Sequence, residues 1–192
     1  MKILDLKGKA CPIPVIETKK TLEACDENET VLTIVDNEIA MQNVSKLAKE
    51  LGYNFQSKTV DKKHYEVITI KGEGNTNAPR QLTDLVITVD RLEMGHGSDE
   101  LGLSLRKAMM HTIQDLDILP SHILFYNSGV KTIEDEGIVN DLKALEDLGV
   151  TLLFCGACLQ YYKLENSLTV GSATNMYEIL SVQTKANKVL AI

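Results

Sequence analysis

Residues 2–14 read Lys2-Ile3-Leu4-Asp5-Leu6-Lys7-Gly8-Lys9-Ala10-Cys11-Pro12-Ile13-Pro14, and this run decides the fold of the first part of the chain. Apolar alternation over Lys2 to Leu6 predicts a strand, and Gly8 marks the turn that leaves it. Pro12 and Pro14 suit the first turn of a helix, where a missing N–H removes a donor that would be unpaired anyway. The pattern predicts a helix from Pro12 to about Ala24 with Cys11 as its N-cap. A thiol there meets the helix macrodipole and free backbone N–H groups, which favour the thiolate. The prolines remove two donors, so the Ile13 N–H is the main one expected for the sulfur. Cysteine caps helices poorly compared with Ser, Thr, Asp or Asn, so a purely structural helix start accounts for the prolines but not for the sulfur.

Working outward, a strand is expected from Thr30 to Val35 and a helix from Ile39 to Leu51, stopped by Gly52. Two strands follow, Tyr53 to Val60 and His64 to Ile70, with Asp61-Lys62-Lys63 as their hairpin loop. The sum is a βαβαββ two-layer sandwich with two helices on one sheet. The stretch Lys71-Gly72-Glu73-Gly74-Asn75-Thr76-Asn77-Ala78-Pro79 is polar, rich in Gly and Asn and closed by proline, which reads as a linker. The domains are therefore expected at 1–72 and 83–192, with the linker over 73–82.

Beyond the linker, Val/Ile/Leu-rich runs alternate with helical periods. Strands are predicted at Leu85 to Val89, His122 to Tyr126, Val150 to Phe154 and Lys188 to Ile192. Helices are predicted at Ser98 to about Asp117, Ile133 to Leu148, Leu159 to Tyr162 and Thr174 to Val182. This pattern indicates a three-layer α/β domain with a parallel sheet covered on both faces, whose ligands gather at the carboxyl ends of the strands. Cys155, in the run Phe154-Cys155-Gly156-Ala157-Cys158, lies at such an end.

The residues of that C-x-x-C leave three readings: a redox pair, half of a zinc site, or one nucleophile with a neighbour. No second C-x-x-C supplies zinc ligands at a recognisable spacing. The loop Met94-Gly95-His96-Gly97-Ser98 reads as a turn with Ser98 as helix N-cap; His96 is a candidate for proton transfer at the strand ends. Asn127-Ser128-Gly129 and Thr174-Asn175 fall at strand ends too. Cys25 closes the first helix and reads as structural.

Composition narrows the function. The chain has 192 residues, 44% hydrophobic and 24% charged, with a net charge of −7 that lies mostly after residue 75. An acidic chain without a basic stripe, without Trp and with 5% aromatics is a poor binder of nucleic acid. No apolar run reaches the length of a membrane span. No export signal is evident at the start and four cysteines are present, so a reducing cytoplasm with reactive thiols is expected. No nucleotide loop or cofactor motif is visible, and neither a cofactor nor a metal is expected.

Ile3 to Gly8 followed by Cys11-Pro12-Ile13-Pro14 and a helix resembles the TusA/SirA family of small sulfur carriers. The resemblance implies that Cys11 accepts sulfane sulfur as a persulfide and hands it on, with Pro12 and Pro14 setting the helix start. Residues 83–192 resemble the DsrE family of sulfur-relay proteins. That likeness implies a nucleophilic Cys155, a resolving Cys158 and assembly into homo-oligomers. The two in this order resemble the YedF type of protein, a sulfurtransferase-like group linked to selenium metabolism. The implied function is a cytosolic sulfur or selenium carrier fed by a donor such as a cysteine desulfurase, with an acceptor protein that the resemblance does not name. The residues leave open a regulatory binding module without turnover, and a thiol–disulfide redox protein using Cys155 and Cys158.

Overall fold

The computed structural model describes residues 1–72 and 81–192, and the chain divides into two compact units to which these parts belong. The expected linker over 73–82 lies mainly in residues outside that description. Its last two positions belong to a strand that begins at Gln81.

In the first unit, β1 (Lys2–Asp5), α1 (Ile13–Glu23), β2 (Thr30–Val35), α2 (Glu38–Glu50), β3 (Asn54–Asp61) and β4 (His64–Ile70) form a four-stranded sheet of order β1-β2-β4-β3. β1 runs parallel to β2, and β4 runs antiparallel to both β2 and β3. Period-two alternation sends Val31, Thr33 and Val35 under the helices. α2 meets them with Ala40, Val44, Leu47 and Ala48, spaced as one helical stripe. Ile39, expected on that stripe, is exposed, and Ala40 takes the buried position. Asn37 caps α2 by accepting from the Ala40 N–H at 2.8 Å, and Gly52, at φ +71°, supplies the left-handed residue that ends it. The buried hydroxyls of Thr18 and Thr33 pair at 3.0 Å, and Thr18 also donates to the Pro14 carbonyl. Among the described residues, the opposite face of the sheet carries no helix of this unit. Register places Ile3, Leu32 and Ile68 side by side there, with Ile3 60% exposed.

The second unit contains β5 (Gln81–Val89), α3 (Asp99–Ile113), β6 (Ile118–Phe125), a 3-10 segment (Asn127–Glu134), α4 (Glu136–Asp147), β7 (Thr151–Cys155), α5 (Gly156–Tyr162), β8 (Ser172–Thr174), α6 (Met176–Lys185) and β9 (Lys188–Ala191). Every strand pair in its sheet is parallel, in the order β8-β7-β6-β5-β9. The expected mixed α/β class with a parallel sheet is what the structure has, with five strands where four were expected. β8 is an addition: Ser172–Thr174 pairs with β7, so the helix expected from Thr174 starts at Met176, capped by Asn175. The larger core joins Ile87, Val89, Phe125 and Phe154 to Met110, Ile138, Leu142 and Leu159, while the other face joins Val86, Leu124, Leu153 and Cys155 to Ile179 of α6. Each fully buried Leu, Ile or Phe in these layers contributes about 1.5–3 kcal/mol of burial free energy. Phe125 and Phe154, neighbours in register, stack with centroids 4.3 Å apart. No helix among the described residues is long and apolar enough to cross a membrane.

Candidate functional site

Two sites correspond to the two cysteine motifs. At the first, the chain leaves β1 through a turn in which the Lys9 N–H donates to the Leu6 carbonyl and the Gly8 N–H donates to Asp36 Oδ2 at 2.7 Å. That amide is the main reason the Asp36 carboxyl is held below its ordinary range, with the Asn37 amide next. The turn delivers Cys11 to an exposed position.

The local geometry differs from the expected cap in one respect. Pro12, not Cys11, is the N-cap of α1, Pro14 is its second residue, and the Cys11–Pro12 peptide bond is cis. Cys11 thus stands one residue outside the helix. The Ile13 N–H, expected to face the sulfur, donates instead to the Ala10 carbonyl at 3.0 Å. The donor that does reach Cys11 Sγ is Asn43 Nδ2, at 3.8 Å, from the middle of α2. Because α1 and α2 lie side by side on one sheet, a residue 32 positions away attends the thiol, which no local pattern announces.

At the second site, Cys155 ends β7 and caps α5. It is 4% exposed, packed with Leu124, Leu153 and Ile179. Cys158, three residues on, is half-buried and packs against the same apolar group, with the Cys155 thiol as a neighbour. Its Sγ accepts the backbone N–H of Asn127 at 3.1 Å. Asn127 opens the 3-10 segment after β6 with φ +50°, a left-handed conformation that Asn tolerates better than most residues. The Tyr162 hydroxyl donates to Asn127 Oδ1 at 3.5 Å, and Lys131 Nζ stands 5.6 Å from the Tyr162 ring centroid. Burial, followed by the hydrogen bond with Cys155, pushes the Cys158 thiol up, against the pull of the Asn127 N–H. All four cysteines are free thiols, and Cys25 is buried among Leu22, Val31 and Tyr53.

His96 sits apart from this pair. Its Nδ1 lies 2.9 Å from Arg91 Nη1, and it lines an open cavity of about 360 Å³ with Asp90, Arg91, Met94, Ala191 and Ile192. The loop that carries it follows β5, two strand positions from β7. Ser98 caps α3 as expected, accepting the Leu101 N–H at 3.3 Å. Arg106, fully buried, shapes this loop by donating to the carbonyls of Arg91, Leu92, Glu93 and Ile192 at 3.1–3.4 Å. Among the described residues no cluster of three or more His, Cys, Asp or Glu side chains could hold a metal ion.

Comparison with known proteins places the first unit. The family described as "Sulfurtransferase TusA" matches residues 2–72. A Methanocaldococcus jannaschii protein described as "Putative sulfur carrier protein" is 42% identical over 53 residues, spanning 28% of this chain and 71% of that protein. One of the same description from Archaeoglobus fulgidus is 31% identical over 71 residues, 36% of this chain and 81% of that one. The crystal structure of a SirA-like protein from Desulfitobacterium hafniense is 39% identical and covers 38% of this chain and 100% of that chain, with a TM-score of 0.36. The ychN protein of E. coli is 20% identical and covers 57% of this chain and 99% of that one, with a TM-score of 0.38.

Proposed function

The chain belongs, through residues 2–72, to the TusA sulfurtransferase family, and from that premise we propose that it is a chalcogen carrier in which Cys11 holds a sulfane sulfur, or its selenium counterpart, as a persulfide or its analogue. One observation supports this reading most. Cys11 is exposed at the end of a turn fixed by Gly8 and Asp36, with the Asn43 amide at its sulfur and a proline-framed helix behind it. An exposed thiol on a rigid base, with a donor for developing charge, suits thiolate exchange with a donor protein.

The Cys11 thiolate attacks the outer sulfur of a donor persulfide, such as that of a cysteine desulfurase. A new S–S bond forms on Cys11, and the donor leaves as a thiolate. Pro12 and Pro14 hold the approach, and the Asn43 amide stabilises charge on Cys11 Sγ. The second unit is read as DsrE-like, a further thiol site in the same relay, with His96 a proton-handling residue on its rim. The protein works in the cytoplasm, where thiols stay reduced.

The test is mass spectrometry of the reduced protein after exposure to a persulfide donor, run with sulfur and selenium donors in competition. Cys11 is expected to gain one chalcogen atom, Cys11→Ser to lose that adduct, and Asn43→Ala to acquire it about 2- to 5-fold more slowly, the reach of one weak hydrogen bond. If peptides containing Cys11 stay unmodified while the donor is consumed, the reading is wrong.

A further inference from the structure

The second thiol site differs from the first in kind. Cys11 is a single exposed thiol, whereas Cys155 and Cys158 are two thiols that share one apolar group, one sealed in the core and the other half-buried. The resemblance to sulfur-relay proteins implies that Cys155 is the nucleophile, yet at 4% exposure it is poorly placed to meet a donor. Cys158 is half-buried and carries the Asn127 N–H at 3.1 Å on its sulfur. Cys-x-x-Cys at the start of a helix is the spacing that redox-active thiol pairs use.

We infer that Cys158 accepts a sulfane sulfur and that Cys155 expels it as hydrogen sulfide, so that the second unit reduces sulfane sulfur rather than carrying it. This deepens the carrier reading, on which it rests for its substrate class. In the first step the Cys158 thiolate attacks the outer sulfur of a donor persulfide. The Cys158 S–S bond forms, the donor S–S bond breaks and the donor departs as a thiolate. In the second step the Cys155 thiol attacks Cys158 Sγ. The Cys155–Cys158 disulfide forms and the bond from Cys158 to the sulfane sulfur breaks. That sulfur leaves with the bonding electron pair and takes the Cys155 proton, departing as hydrogen sulfide. The thiol pair is oxidised by two electrons and the sulfane sulfur is reduced by two. An external dithiol restores the pair by thiol–disulfide exchange.

Three features of the site serve this sequence. Cys155 is held among Leu124, Leu153 and Ile179, in the same apolar group that Cys158 packs against. The Asn127 N–H faces Cys158 Sγ, where it stabilises the thiolate once the proton has left, against the burial that favours the thiol. Burial of Cys155 keeps it from taking up sulfur directly, which would leave the longer-lived adduct on the wrong thiol.

The experiment is a single turnover of the reduced full-length protein, freed of external thiol, with an alkyl persulfide whose departing group is an alkyl thiolate and not sulfide, reading hydrogen sulfide release and the sulfur state of each cysteine by mass spectrometry. It is run in Cys11→Ser protein so that the first site contributes nothing, and in parallel with intact Cys11, whose own adduct reports separately on the carrier reading. Expected are a burst of hydrogen sulfide equal to the number of thiol pairs and an accompanying Cys155–Cys158 disulfide. Cys158→Ser loses the burst. Cys155→Ser, or Cys155→Ala if the serine disturbs the core, loses it too but retains an extra sulfur atom on Cys158. In unsubstituted protein, limited alkylation with iodoacetamide should mark Cys158 ahead of Cys155, an order that needs no variant. The inference fails if the extra sulfur accumulates on Cys155 in Cys158→Ser, if Cys155 is alkylated first, or if the burst survives without Cys155. Loss of the Cys11 adduct alone would overturn the carrier reading and leave this one standing.

Discussion

At the scale of single residues, the two thiol sites are distinguished by which neighbour donates to sulfur. At Cys11 the donor is a side-chain amide from another helix, and at Cys158 it is a backbone N–H from another strand end. The second thiol carries a pH signature whose sign is fixed. Cys158 is pushed above the ordinary value of 9.0, first by burial and then by Cys155. In the unfolded chain this thiol loses its proton near the ordinary value while the folded one retains it. Over that window the unfolded state binds fewer protons, so stability falls as pH rises; below the ordinary value the contribution is fully present. The urea midpoint of the reduced protein is therefore expected to decline from about pH 9 upward. Cys158→Ser should flatten that decline, and equal slopes in both proteins would contradict the assignment.

At the scale of elements, the short 3-10 segment Asn127–Glu134 does more than connect β6 to α4. It carries the Asn127 N–H to Cys158, and Gly129 is what lets it lie close enough. A Cβ on Gly129 would fall 2.1 Å from the Val89 carbonyl oxygen, on a strand with no room to yield. Gly129→Ala should cost on the order of 3 kcal/mol. Ser128→Ala, losing only a hydroxyl that accepts the Leu92 N–H, should cost about 1 kcal/mol. Chemical denaturation read on the second unit separates the two. A mild effect at Gly129 would mean the segment can shift away from β5. This segment also shows where sequence reasoning stops. The strands and helices were legible because period-two and period-3.6 patterns, glycine stops and caps such as Ser98 are local signals. The hairpin expected at Asp61-Lys62-Lys63 was legible for the same reason, with Asp61 falling in β3. Three-residue β8 was not, because it is too short to show a period and owes its existence to the β7 edge. The cysteine motifs stood out by composition. Their partners Asn43 and Asn127 did not, since each reaches its sulfur only after two elements have been laid side by side. The one-residue offset of Cys11 from the α1 cap likewise depends on how the turn closes through the Ala10 carbonyl.

At the scale of the molecule, each unit closes its own cores: Leu22, Val31, Val35 and Tyr53 in the first, the two faces of the parallel sheet in the second. A fragment of residues 1–72 is expected to fold alone with a cooperative transition and to take up sulfur at Cys11, because every element that positions that thiol lies within it. Calorimetry and donor labelling of the fragment check both halves of this expectation; a broad, non-cooperative melt would refute it. The burial of Cys25 has a practical consequence at the same scale. It sits at 5% exposure among Leu22, Val31 and Tyr53, and Cys155 is buried likewise in the other unit. Each half of the protein thus contains one concealed thiol and one more accessible one. A thiol-reactive dye would count Cys11 first and Cys158 more slowly, then register each hidden thiol only when its own unit opens, so the chain is built with two internal unfolding clocks that need no introduced label.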